Sequence, residues 1–326
     1  MRTGLLCLAC SVFLFCGISC KKIASPPGQA ETGYGSIAGY ISDGYSRESV
    51  GNDADGTLAW YFVPDKLKNG ASAPGIIFLH GYTAVDPETY YGHIEHLVKQ
   101  GYIVIYPVYQ IPSNGGSNKD LDQNVMLERA VDSVEKALEA LGATVETGNL
   151  TAYGHSLGGL FAFCWAGAGG APVRRIVMAD ANMDPSTGIP AFVIKLNLVT
   201  FIPYKDPSYG PAVTVPVIML WGNSDTQTAP FSQQQQAYDL MVNAPSKVLY
   251  AAQSDNHGLP RLTASHAAPI SPLNERTDLA QQDALDYRFF YAALDAALDG
   301  QDKVTFTMGN WSDGTPVKKV KRLLPE

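Results

Sequence analysis

The sequence predicts one α/β domain, a mainly parallel central sheet with helices on both faces. Three observations carry this. Apolar runs rich in Val, Ile and Tyr alternate with amphipathic stretches of about ten to twenty residues. The chain has 326 residues with 46% hydrophobic content, enough to bury one large core. No internal repeat divides it.

The predicted elements follow in order. "LAWYFVP" and "GIIFLHG" read as strands, residues 88–100 as a helix, "GYIVIYPVY" as a strand and residues 121–141 as a long helix. "NLTAYGHS" is then a strand running into a helix, followed by the strand "VRRIVMAD" and an insertion at 183–212. "VPVIMLWG", a helix over 230–242, "SKVLYAA" and a closing helix "DALDYRFFYAALDAAL" complete the pattern. Within the insertion, Ile189 to Tyr204 is apolar but for Lys195 and Asn197. It reads equally as a cap over an acyl group or as extra packing.

The N-terminus differs from the rest. "MRTGLLCLACSVFLFCGISC" gives Arg2, an apolar run of about sixteen residues, then Gly17, Ser19 and Cys20, the pattern of an export signal. A retained membrane helix needs roughly 20 apolar residues. Gly17-Ile18-Ser19-Cys20 resembles a bacterial lipobox, with Gly17 where a leucine is usual. That resemblance implies cleavage before Cys20, lipidation of its thiol, and a membrane-anchored envelope lipoprotein. The expected division is a signal peptide over 1–19, a flexible Pro/Gly/Ser-rich tether over 20–33 and a single domain over 34–326. Cys164 would be the one thiol left in the domain, so no internal disulfide is expected, and "FAFCWAGA" reads it as a buried small hydrophobe. The net charge of -8, with no dense basic patch before "KKVKR", argues against a nucleic-acid partner.

The chemistry points to "YGHSLGGL". A serine hydroxyl needs exposure at a sharp turn and a base to take its proton. Gly154 and Gly158, two residues either side of Ser156, allow a strained strand-to-helix turn, and Gly159 gives room for packing. In such a site the acid and then the histidine follow at the ends of later strands. Asp225, after "VPVIMLWG", and His257, after "KVLYAA", meet that order. His257 is the expected base and Asp225 the expected orienting acid. Asp184 is the reserve acid, Asp255 a weaker one. The backbone N–H groups of Tyr82, after "FLHG", and Leu157 are the expected oxyanion donors. His80 and His155 read as scaffold residues and His266 carries no motif. His93 and His96, three apart on a helix, read as a solvated face, and no metal is expected.

With these residues in place the chain resembles an α/β-hydrolase. "HGYTAVDPETY", "GHSLGG", "VTVPVIMLWGNSDTQTAP" and "DNHG" resemble the dienelactone hydrolase-like branch with cutinase-type polyesterases, chlorophyllase-like and platelet-activating-factor acetylhydrolase-like proteins, over about residues 58–300. The resemblance implies an α/β-hydrolase fold, with the insertion between its sixth and seventh strands, and a serine carboxylester hydrolase that needs no cofactor. It also implies a small or lipid-like ester substrate and an acyl-pocket role for Tyr82. The chain departs from cutinase-like enzymes in the 183–212 insertion and in lacking their paired C-terminal cysteines. A non-catalytic binding lipoprotein and an acyltransferase using the same residues are the competing functions.

Overall fold

A computed structural model describes residues 23–111, 122–184, 186, 195, 199–272 and 281–324. The expected signal peptide and Cys20 therefore lie outside the described residues, as do residues 185, 187–194 and 196–198 of the insertion. Among the described residues no helix is long and apolar enough to cross a membrane.

Among the described residues, nine strands form a single sheet in the order β1-β2-β4-β3-β5-β6-β7-β8-β9. They are β1 (Tyr45–Val50), β2 (Leu58–Pro64), β3 (Ala73–Leu79), β4 (Ile103–Val108), β5 (Val145–His155), β6 (Arg175–Ala179), β7 (Val217–Gly222), β8 (Lys247–Ala252) and β9 (Lys321–Arg322). From β4 through β8 every neighbouring pair is parallel. The two outer additions, β1 with β2 on one side and β9 on the other, are antiparallel. β3 and β4 are buried at every position, as strands covered on both faces must be.

Side chains alternate between the two faces with the period of a strand. Ile77, Leu79, Ile103 and Ile105 join one core layer, with helices α2 (Gln123–Leu141), α3 (Leu157–Cys164) and α4 (Phe231–Leu240) contributing Val134, Phe161 and Ala237. Ile76, Phe78, Val104 and Tyr106 join the other, against α1 (Tyr91–Lys99) and α5 (Tyr291–Leu298). Each fully buried residue of this size contributes about 1.5–3 kcal/mol relative to exposure, so both layers hold the sheet. α2 buries Met126, Leu127, Ala130, Val131, Val134, Ala137 and Leu141, one stripe of a 3.6-residue period. The Asp122 carboxylate caps its start by accepting the N–H groups of Asn124 and Val125.

Several expectations change. The stretch read as a flexible tether lies against the domain from residue 23 onward: Ala24 is buried, its carbonyl accepts Leu259 N–H at 2.9 Å, and Gly28 O accepts Arg288 Nε. β1 has no apolar run to betray it, because it is an edge strand with an almost wholly exposed pattern. The solvated face assigned to His93 and His96 is also wrong. Both are buried, His93 against Ser271, Phe78 and Tyr291, and His96 against Asp295. Burial holds the His93 ring neutral by pushing its pKa down to about 3. Cys164 is a free, buried thiol.

Candidate active site

The register of the sheet brings three strand ends together. Leu79 of β3 pairs with Gly154 of β5, and His155 of β5 pairs with Ala179 of β6. The residues just beyond these ends are His80, Ser156 and Asp180. Functional groups in open α/β sheets collect at such carboxyl ends.

Ser156 stands between β5 and α3 with φ 57° and ψ -119°. Thr83, Ser156 and Asp180 are the non-glycine residues with positive φ among those described, and all three follow these strands. Conformations of this kind cost about 1–3 kcal/mol each and persist only where the surroundings enforce them. For Ser156 the flanking glycines explain how. A Cβ on Gly154 would lie 2.0 Å from Gly158 O, and one on Gly158 would lie 2.0 Å from Leu79 O. Backbone therefore fills the space a side chain would need.

The Ser156 hydroxyl lies 2.8 Å from His266 Nε2, and His266 Nδ1 lies 2.6 Å from Asp225 Oδ2. A carboxylate only accepts, so Nδ1 carries the proton and Nε2 presents its lone pair to the serine. Asp225 is buried, and its other oxygen accepts the N–H groups of Thr228 and Ala229 at 3.2 and 3.1 Å. The acid loop is thus fixed while one carboxylate oxygen is given to the histidine. Trp221 Nε1 steadies the same loop from below, donating to Ala229 O at 2.9 Å.

His257 is not brought to Ser156. Asp255 and Leu262 pair as an antiparallel bridge, closing a small loop with His257 within it. The His257 ring turns outward, with Nε2 2.8 Å from Asp313 Oδ2. That bond is the leading cause holding the Asp313 carboxyl down to about 2. Asp255 is structural too. Burial opposes its charge, but N–H donors on Lys318, Trp311 and His257 outweigh this and hold its carboxyl below the usual range. The chain then returns along the strand ends, with Ser224 N–H donating to Ala264 O, and delivers His266 over Ser156. His257 and His266 both follow β8, so the strand-order rule admits either. The bridge that decides between them joins residues seven apart and has no motif.

Asp184, the reserve acid, is occupied elsewhere: its backbone N–H donates to Gln233 and its carboxylate accepts Ser186 N–H. The carboxyl that follows β6 directly is Asp180, fully buried, with one oxygen accepting Gly222 N–H at 2.7 Å. Burial first, then the charge of Asp225, pushes its pKa well above the usual carboxylate range.

The turn at 81–84 closes the site from the β3 side. A Cβ on Gly81 would lie 3.4 Å from Ser156 Cβ, so this turn sits against the serine. Ala84 N–H donates to Gly81 O, and Thr83 N–H to Gln110 Oε1 at 2.7 Å. Tyr106 and Tyr109 donate their hydroxyls to the carbonyls of Ala84 and His80. His80 stacks on Tyr109 with ring centroids 4.0 Å apart, and burial lowers its pKa to about 4. Tyr82 is 45% exposed at the tip of this turn. Leu157 opens α3, where the first N–H groups of a helix have no acceptor within it. Among the described residues no group of three or more His, Cys, Asp or Glu side chains is arranged to hold a metal ion.

A model of the alpha/beta hydrolase family matches residues 76–310. No curated protein matches the chain. Among solved structures it is similar to esterase B from Lactobacillus rhamnosis, at 16% identity and TM-score 0.49 over 65% of this chain and 76% of that one. The same esterase inhibited by a C4-C4 tributyrin phosphonate is similar at 18% identity and TM-score 0.47, over 65% and 76%. So is TT1662 from Thermus thermophilus, at 16% identity and TM-score 0.47 over 69% and 94%.

Proposed function

We propose that this chain, which belongs to the alpha/beta hydrolase family, is a serine hydrolase that cleaves carboxylic esters of small or lipid-like substrates. The observation that carries the reading is the hydrogen-bonded run from Ser156 through His266 to Asp225. In it His266 takes the Ser156 proton as the hydroxyl attacks the ester carbonyl, and Asp225 stabilises the imidazolium that forms. The proton then passes to the leaving alcohol, and water repeats the sequence to release the acid from the acyl-enzyme.

The backbone N–H groups of Tyr82 and Leu157 are proposed as donors to the oxyanion, where one such donor is worth about 2.7–4 kcal/mol. The proximity of Gly81 to Ser156 and the position of Leu157 at a helix start support this. The exposed Tyr82 ring is proposed to border the acyl site, and the apolar insertion to cap it. The N-terminal sequence supports export and anchoring through Cys20, which would place the site at a membrane surface.

The test is hydrolysis of p-nitrophenyl esters from acetate to long chains by residues 21–326, with Ser156→Ala beside the wild type. Activity falling by about 10⁶ in the variant is expected, the size of the nucleophile's loss in subtilisin. Its chain-length profile reads out the cap. Folded wild-type protein without esterase activity, or Ser156→Ala with full activity, would overturn the reading.

A further inference from the structure

We infer that His155 and Tyr90 are positioning residues, a buried relay that holds His266 and the turn at Gly81 in one register over Ser156. The inference rests on the roles proposed above for Ser156 and His266. His155 precedes Ser156, and its two ring nitrogens are given to partners other than the serine hydroxyl. Its Nε2 lies 2.9 Å from the backbone carbonyl of His266, and its Nδ1 lies 2.7 Å from the hydroxyl of Tyr90. That hydroxyl in turn lies 2.9 Å from Gly81 N.

The direction of every bond is fixed by chemistry. A carbonyl only accepts, so His155 Nε2 carries a proton. His155 is 2% exposed, and burial, with the nearby His266 as a lesser cause, pushes its pKa well below the ordinary range. The ring is therefore neutral and Nδ1 is an acceptor. Tyr90 must donate to it, which leaves the Tyr90 oxygen to accept Gly81 N–H. The chain runs Gly81 N–H to Tyr90, Tyr90 O–H to His155, His155 N–H to His266 O.

The relay spans the three elements that the proposed chemistry must hold together. His266 comes from the loop after β8, Gly81 from the turn after β3, and His155 from the strand that carries Ser156. Its remaining contacts leave little play. Tyr90 is fully buried against Phe78, and a Cβ on Gly81 would come within 3.0 Å of the Tyr90 hydroxyl and 3.4 Å of His155 Nδ1. The His155 and His266 rings lie 5.0 Å apart. A neutral His155 adds no second cation when His266 takes up the serine proton, whereas a lysine or a protonated histidine there would oppose that step. A histidine kept for packing alone would need no such directional chain.

Glutamine can reproduce both bonds, its oxygen accepting from Tyr90 and its amide donating to His266 O. Leucine can make neither. The experiment measures kcat and KM on p-nitrophenyl butyrate for wild type, His155→Leu, His155→Gln, Tyr90→Phe, the Tyr90→Phe/His155→Leu pair and Ser156→Ala. Misplacement of reacting groups by about 1 Å costs about 10²-fold. His155→Leu is expected to lower kcat by about 10–100-fold at unchanged KM, with His155→Gln returning to within about threefold of wild type. The double variant is expected to be no worse than His155→Leu, since both changes cut one chain. Wild-type kcat in His155→Leu, or equal losses in the Gln and Leu variants, would overturn the inference. Should His155→Leu fail to fold, Tyr90→Phe decides, because it removes one oxygen atom: reduced kcat at unchanged KM supports the relay and wild-type kcat overturns it. Full activity in Ser156→Ala would instead overturn the underlying functional reading.

Discussion

His257 and His266 follow the same strand, nine positions apart, and their surroundings could hardly differ more. His257 faces water and one exposed carboxylate on the C-terminal tail, Asp313. His266 has each ring nitrogen committed, one to a buried carboxylate and one to a hydroxyl held in a strained turn, and its carbonyl committed to His155. Both have an aspartate partner within 2.8 Å, so the pair alone does not distinguish them. What distinguishes them is the third group. A histidine between a carboxylate and a hydroxyl can move a proton, while one between a carboxylate and solvent makes a surface ion pair, usually worth little.

The largest loss is expected from His266→Ala, which should lower kcat by about 10⁶, as loss of the base does in subtilisin. Asp225→Asn should lower it by about 10⁴, through the wrong imidazole tautomer, with the fold kept. The next effect is on stability, and it uses a third histidine. His93 has a folded pKa lowered to about 3, so between about pH 6.5 and 3 the unfolded chain binds a proton that the folded one does not. Its contribution is whole above about pH 6.5 and declines by about 1.4 kcal/mol per pH unit below it. Urea unfolding of His93→Phe across that range should show a pH slope shallower by about this amount, whatever the variant's absolute stability. An unchanged slope would mean that His93 is charged in the fold. The smallest effect is expected from His257→Ala, with kcat within about twofold of wild type, since an exposed ion pair far from the hydroxyl has little to lose. A large loss there, with His266→Ala active, would reverse the assignment.

The seven strands read from the sequence and the helices between them appear where their apolar runs lie, because burial on both faces leaves a continuous signal. The edge strands β1 and β9 left none, since an edge needs few apolar residues and takes its order from its neighbour. The burial of the helical histidines leaves no sequence signal for a related reason. Spacing of three says that His93 and His96 share a face, but only packing against α5 says that the face is inward.

Much of the candidate site is local and therefore written in the chain. The turn at Ser156 depends on residues within two positions of it, where small side chains are a steric requirement. Asp225 lies three residues past the end of β7, so its place is set closely by the strand's end. The histidine is different, because the path from β8 is long enough to carry two candidates, and a bridge between Asp255 and Leu262 with bonds to Asp255 from the tail turns one away and the other in. Likewise no pattern in the sequence joins Gly81, Tyr90, His155 and His266. The strands buried on both faces and the steric room at the Ser156 turn are legible in the chain, since they follow from the size and polarity of neighbouring side chains. Which histidine after β8 meets the serine is settled only by tertiary packing, because that contact spans 110 residues and depends on where the intervening elements lie.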